Sequence, residues 1–193
     1  MFSRLNRRLK KINLKHIFLL LIFSAILYLA RPQVIYFCAG LGLVIIGEII
    51  RIWATGHLEK NKSLTTSGPY EFVKNPMYVG TFLIMLGFAA MAINCSNAYY
   101  LSALLGIQIL GFLFYYVPYK RRIEGARLLE KFGPTYADYD KNVPDYIPRR
   151  LRPYQGPGSD KRWSKAVFAE NNESQVALSV ILGVLILTAR FWI

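Results

Sequence analysis

Apolar residues along the chain gather into five blocks, separated by charged or turn-forming stretches. The first block runs from Ile17 to Ala30 and stops at Arg31-Pro32; the second runs from about Val34 to about Ala54. With their flanks, these two are long enough to cross or nearly cross ~30 Å of hydrocarbon. Tyr78 to Ile93 and Tyr99 to Val117 form the third and fourth, joined by Asn94-Cys95-Ser96-Asn97, and Val176 to Ile193 closes the chain. The expected fold is all-α: a polytopic membrane protein of about five transmembrane helices. Arg31-Pro32 reads as the turn of a helical hairpin, and Pro118 as the point where the fourth helix kinks or ends. Between the fourth and fifth blocks, Lys120 to Phe132 has helical periodicity and is expected to stop at Gly133, a natural C-cap. The Pro-, Tyr- and Arg-rich stretch beyond it reads as loops packed on the membrane surface. Gly40, Gly42 and Gly47 in the second block suit close helix packing. The whole chain, 1–193, is expected to be one domain: a hairpin at 1–57, a core at 58–170 and a last span at 171–193.

Charge adds a direction. Hydrophobic residues make up 54% of the 193, yet the formal net charge is +13. Arg4, Arg7, Arg8, Lys10, Lys11 and Lys15 precede the first block, and most other basic residues lie at 60–74 and 120–165. Five spans with the N-terminus inside would leave only Arg31 and Arg190 outside, so the positive-inside rule puts the loops and the N-terminus in the cytosol. Such charge suits anionic lipid heads rather than nucleic acid. The basic-then-apolar start reads as a retained span, since no small-residue cleavage site follows. The two cysteines, Cys38 and Cys95, have no CxxC or Cys/His spacing, so neither a metal site nor a disulfide framework is implied.

Three features carry possible chemistry. Glu48 and Arg51 are ionisable residues inside the second block, spaced to share a face; they form a structural ion pair or a polar wall of an acceptor channel. The run Ser67-Gly68-Pro69-Tyr70…Lys74-Asn75-Pro76-Met77-Tyr78 places a turn and a helix start together. Free N–H groups there would favour an anion, and Tyr70 and Tyr78 an onium cation; a plain interfacial turn with tyrosine anchors is the simpler reading. Lys120 and Glu124, four apart after the fourth block, could hold polar groups of a ligand, or belong to a helix lying on anionic lipid.

Taken in order, Thr66-Ser67-Gly68-Pro69-Tyr70, Lys74-Asn75-Pro76-Met77-Tyr78-Val79-Gly80, Glu124, Phe132-Gly133-Pro134-Thr135-Tyr136-Ala137-Asp138-Tyr139, Val143-Pro144 and Ile147-Pro148 resemble isoprenylcysteine carboxyl methyltransferases and the related phospholipid methyltransferases. The resemblance covers about 50–150. It implies S-adenosylmethionine as cofactor, held at the cytosolic edge without a Rossmann fold, and a lipophilic carboxylate acceptor that arrives through the bilayer. It also implies that Lys62, Ser63, Leu64 and Thr65 with Tyr70 line the cofactor. Asn75, Pro76, Met77 and Tyr78 stand at the family's Arg-His-Pro-x-Tyr element, and Glu124 at its glutamate. Lys120, with Arg121 beside it, stands where an arginine is associated with substrate. Three positions depart from the pattern: Asn75 replaces the histidine, Gly125 the second acid, and Lys120 the arginine. Asn75 carries no charge and Lys120 lacks the fork of a guanidinium, so the departures bear on the acceptor more than on the cofactor. Carboxyl O-methylation is the expected activity. Phospholipid or amine N-methylation on the same scaffold, and a non-enzymatic transporter or scaffold, are the alternatives.

Overall fold

The computed structural model describes residues 30–60, 62–94, 98–149 and 152–192, with isolated positions between 21 and 28. Most of the expected first span and the turn residues 95–97 lie outside the described residues. Among the described residues the fold is all-helical, with no strand. Helix α1 is Val34–Thr55, α2 Pro76–Ala92, α3 Ala98–Leu110, α4 Val117–Asn142, α5 Lys165–Glu170 and α6 Glu173–Ala189. Helix α1 and the continuous run Ala98–Tyr115 are long and apolar enough to cross a membrane; α2 and α6 are equally apolar but shorter.

Helices α1 and α2 run antiparallel and touch backbone to backbone. A Cβ on Gly40 would lie 2.5 Å from the Gly87 carbonyl oxygen, and one on Gly47 would lie 2.6 Å from that of Gly80. Each pair of glycines is seven residues apart on its own helix, so both fall on one face. Val44, Ile84, Phe88 and Met91 pack along this seam, and Leu187 of α6 joins the same buried cluster. The role expected for Gly42 is not seen: nothing lies within 4 Å of its Cβ position. It stands two residues from Gly40, roughly 200° around the helix, and so off the face that Gly40 and Gly47 share.

The outer faces remain apolar. Ile45, Ile46, Ile49 and Trp53 on α1, and Leu178, Ile181, Leu182 and Leu185 on α6, are exposed. Faces of this length and character suit hydrocarbon surroundings.

Three local expectations need correction. Glu48 and Arg51 do not pair. Arg51 donates from Nε to Glu173 at 2.7 Å, and its Nη1 donates to Thr81 Oγ1. Glu173 is buried at the start of α6 and meets the guanidinium from the Nε side, whereas both oxygens of Glu48 are buried with no hydrogen-bond partner among the described residues. Pro118 does not end its helix. The widening precedes it, in a π-helical turn at Gly111–Tyr116 whose end has Val117 N–H bonded to Phe112 O. Proline has no N–H for the usual bond, and the wider turn before it absorbs the missing register. Gly133 does break the helix, at φ 51° and ψ −129°, but a second helical stretch follows at once to Asn142, where loops were expected. Pro134 suits the first turn of that stretch.

The glycine contacts define a test. Gly47→Ala should lower stability by about 1–3 kcal/mol, because its methyl group meets backbone that cannot swing aside. Gly42→Ala should cost nothing. Thermal unfolding of both variants in detergent compares them.

Candidate functional site

A cavity of about 480 Å³ opens where the C-terminal end of α1, the start of α2 and the helix α4 meet. Its sequence origin is the segment 56–75 between α1 and α2, which folds back instead of crossing. His57 is buried just after α1, with Nδ1 2.9 Å from Ser67 Oγ. Gly68, at φ 61°, packs on the His57 ring; a Cβ there would sit 2.6 Å from ring atoms. Burial pushes the His57 pKa below its ordinary value, so the ring is neutral and serves as a structural pin. Thr66 donates to Pro157 O at 2.7 Å, and the Tyr139 hydroxyl donates to Tyr70 O at 2.8 Å. The loop is thereby tied both to the later chain and to the second half of α4.

Asn75 precedes Pro76 at the N-terminus of α2. Free N–H groups were expected at this helix start, and the two amides just before it, of Lys74 and Asn75, are not free. They are taken: Lys74 N–H donates to Pro144 O at 2.8 Å and Asn75 N–H to Asp145 O at 3.1 Å. The Asn75 side chain donates to the same carbonyl at 3.1 Å. Lys74 also bridges the carboxylates of Asp140 and Asp145. This end of α2 therefore docks the 144–146 loop, and an amide at position 75 does that without charge.

The cavity wall brings together Ser63, Leu64, Thr65, Tyr70, Asn75, Met77, Tyr78, Arg121 and Glu124 from the sequence candidates. Pro76 is buried behind the wall. Lys62 turns away, its Nζ 2.8 Å from Glu170 in α5. The Lys120 side chain lies outside the described residues. Sequence reasoning missed several wall residues. Thr81 reaches the cavity from inside the helix pair, beside Arg51, which the sequence marks with Glu48 as a polar wall and which does line it, and Glu59 reaches it from the loop. Tyr136 and Tyr139 stand on the unexpected helical stretch, where Phe132, Tyr136, Tyr139 and Val143 repeat at three and four residues; that spacing was the available signal. Nothing in the sequence marked Glu59.

The walls combine carboxylates (Glu59, Glu124, Asp140, Asp145), cations (Arg51, Lys74, Arg121, Arg127) and aromatic rings. Burial, followed by the nearby Asp140, Asp145 and Glu124 charges, pushes Tyr136 up to about 12; burial with Asp145, Tyr78 and Glu124 does the same for Tyr146. Tyr70 and Tyr139 are raised well above the ordinary value, chiefly by burial. All four remain neutral phenols at physiological pH and present donors and ring faces rather than charge. Phe112, on the π-helical turn, stacks edge-on with Tyr146 and lies beside Phe82, each at 5.7 Å between ring centroids.

The profile of the phospholipid methyltransferase family matches residues 35–135, just over half of the chain. The chain belongs to that family. Among its relatives, cobalt-zinc-cadmium resistance protein CzcN of Cupriavidus metallidurans is 30% identical over 155 residues, 79% of this chain and 63% of that protein. Protein-S-isoprenylcysteine O-methyltransferase of Schizosaccharomyces pombe is 32% identical over 128 residues, covering 59% of this chain and 50% of that one. Protein-S-isoprenylcysteine O-methyltransferase B of Arabidopsis thaliana is 26% identical over 156 residues, covering 69% and 74%. The chain thus spans about half to two thirds of the first two and more of the third. No solved structure matches it significantly. The segment matched to the phospholipid methyltransferase family supplies α1, the loop, α2, α3 and α4 up to Thr135. The tyrosines at 136, 139 and 146 and the strap at 152–164 lie beyond it.

The strap seals the loop from outside. Tyr154 N–H donates to Glu71 O at 3.1 Å, Ser164 N–H to Gly56 O at 2.9 Å, and Trp163 Nε1 to Ile52 O at 3.0 Å. Lys161 Nζ lies 2.6 Å from Glu59 Oε2, and Ser63 donates to the same oxygen. The Lys161 and Ser63 hydrogen bonds hold the Glu59 carboxyl below its ordinary value of 4.5. A depressed folded-state pKa stabilises the fold above the ordinary range, and that contribution is lost as pH falls through the depressed value. Acidification below pH 4.5 should therefore lower the thermal midpoint of the native protein more steeply than that of Glu59→Gln, read as the slope of midpoint against pH.

Proposed function

We propose that the protein transfers the methyl group of S-adenosylmethionine to the carboxylate of a lipophilic, isoprenylcysteine-like acceptor. The observation that carries this reading is the single cavity wall shared by Ser63–Thr65, Tyr70, Tyr78, Arg121 and Glu124 at one end of a close-packed apolar helix pair. Family membership and the two isoprenylcysteine O-methyltransferase relatives support it.

The residues fit the cofactor's chemistry. Its volume class, a few hundred Å³, is that of a pocket for a nucleoside-sized molecule. Glu124 and Glu59 offer carboxylates to an ammonium group or ribose hydroxyls, and Tyr70 and Tyr78 offer ring faces to a cation. When bound, S-adenosylmethionine supplies an electrophilic methyl group on a sulfonium. The chain's own task is to hold, aim and dry the reacting groups. A carboxylate acceptor is already ionised at neutral pH, with an ordinary pKa of about 4, so no general base is required. That agrees with an uncharged Asn75 and a neutral, buried His57. Positioning and exclusion of water remain, and a cavity walled by tyrosines beside lipid-facing helices provides both. Arg121 is the cation assigned to the acceptor on the α4 side, with Lys120 beside it in sequence.

In the same reading the chain spans the membrane five times, with its N-terminus and cavity in the cytosol, as the distribution of Lys and Arg indicates. The acceptor then enters from the bilayer. Phospholipid or amine N-methylation is the second reading, favoured by the family's name and by Asp140 and Asp145 in the wall. An ammonium acceptor must first lose a proton, however, and Lys74 already occupies both aspartates.

Labelled S-adenosylmethionine offered with a farnesylated cysteine acid and with phosphatidylethanolamine separates the two; label is expected in the acid's methyl ester. S-adenosylhomocysteine at ~100 times its Kd should add about 2.7 kcal/mol of stability, and absence of any thermal shift would favour a non-enzymatic role. Glu124→Ala should abolish S-adenosylhomocysteine binding in calorimetry; unchanged affinity would remove Glu124 from the cofactor site.

A further inference from the structure

Arg51 stands in the last turns of α1, is buried, and yet forms part of the cavity wall. It has room because Gly80 lacks a Cβ: one there would lie 2.6 Å from Arg51 Cγ. Two bonds fix its guanidinium. Nε donates to Glu173 Oε1 at 2.7 Å, and Nη1 donates to Thr81 Oγ1, which itself donates to Met77 O at 2.9 Å. A guanidinium has five N–H groups. The other three find no acceptor among the described residues, and Glu48, one turn away on α1, makes no bond to them. Nη2, which has no acceptor among the described residues, is not among the buried atoms left without a partner, and Arg51 lines the cavity, so this nitrogen, the free edge of the guanidinium, is accessible on the cavity side.

Thr81 is five residues into α2, about 7.5 Å along its axis from Pro76, so this edge lies on the helix-pair side of the cavity, away from the cytosol. An arginine held at such a depth by one buried carboxylate is costly unless its remaining donors are used. Its orientation is set before any ligand arrives, and at low local dielectric a second anion gains more from it than from the exposed Arg121.

We propose that Arg51 is the residue that selects an anionic head group on the lipophilic acceptor, with Glu173 and Thr81 as positioning residues that aim its free edge. Ligand selection by Arg51 rests on reading the cavity as the methyl-transfer site, but it concerns binding and is tested without turnover. The carboxylate of an acceptor lowered tail-first among the helices would meet two parallel N–H groups, a geometry that discriminates against a neutral ester or an amine.

The test uses the full chain in detergent. Calorimetry would measure binding of a farnesylated cysteine acid, its uncharged methyl ester, and S-adenosylhomocysteine. Two variants are compared with the native protein: Arg51→Gln with Glu173→Gln, which removes both charges together, and Arg51→Lys, which keeps the charge but not the fork. The native protein should bind the acid about tenfold more tightly than the ester, and the double variant should lose that preference. Arg51→Lys should weaken the acid several-fold, while ester and S-adenosylhomocysteine stay within about twofold throughout. Acid binding unchanged in both variants would overturn the proposal, as would equal weakening of acid, ester and S-adenosylhomocysteine. If the double variant does not fold, Arg51→Lys decides on the same comparison. A native protein that prefers the acid but transfers no label to it would sink the methyl-transfer reading and leave the Arg51 assignment standing.

Discussion

The structure depends on one constraint: two apolar helices must approach until their backbones touch. Between apolar helices in an apolar solvent there is little hydrophobic drive to associate, so attraction must come from close packing. Gly40 against Gly87 and Gly47 against Gly80 permit that approach at two levels. Everything on the cavity side of the pair inherits its position from this seam. Arg51 lies one turn beyond Gly47 and uses the space left by Gly80, so the same missing side chains that bring the helices together also admit a large cation between them. The ion pair with Glu173 then fastens the start of α6 to the end of α1, closing a third side.

At the cavity end of the helix pair the problem changes from packing to satisfying polar groups. Apart from one 3-10 turn at Gly68–Glu71, the chain between α1 and α2 forms no regular structure, so most of its backbone groups need partners elsewhere. They find them in later chain: Thr66 on Pro157, Tyr70 O on Tyr139, and the Lys74 and Asn75 amides on Pro144 and Asp145. The result is a pocket whose loops are held by long-range hydrogen bonds and whose lining tyrosines are kept neutral by burial. A site that must stay dry while gripping a charged ligand needs such prearranged dipoles, because water cannot enter to compensate.

How much of this was legible from residues alone depended on whether the signal was local. Block lengths and glycine spacing gave α1, α2 and α6 to within a few residues, since apolar runs and small residues act over one or two turns. The loop and helix-start motifs located Ser63–Thr65, Tyr70, Asn75–Tyr78, Arg121 and Glu124, nearly all of which share one cavity wall. What failed was pairing across distance. Glu48 and Arg51 look like partners at i, i+3, but Glu173, 122 residues away, takes the arginine. Gly133 reads as an end, and it is one, yet the chain restarts a helix on the next residue because Pro134 suits a first turn. Lys62 belongs to the cofactor stretch by resemblance but reaches Glu170, because α5 returns to lie beside that loop.

The division of the cavity between matched and unmatched sequence bears on how one scaffold serves different acceptors. The family segment at 35–135 carries the glycine seam, Arg51, Tyr70, Tyr78 and Glu124. Tyr136, Tyr139, Tyr146 and the strap at 152–164 come from beyond it. Methyl transfer asks the same things of every acceptor: a cation held by rings and carboxylates, and an approach in line with the methyl group. Those demands fall on the shared segment. The shape and charge of the acceptor, by contrast, are felt by whatever completes the wall. In this chain the completing residues are neutral phenols and a pair of aspartates bridged by Lys74 of the shared segment, so the wall adds shape and, after that pairing, a single negative charge. On the proposed reading, charge selection falls to the arginines that the family segment presents to the cavity, Arg51 from the floor and Arg121 and Arg127 from exposed positions. Of these, the buried one acts where solvent screens least, and its two fixed bonds mean that little entropy is lost when a third is made.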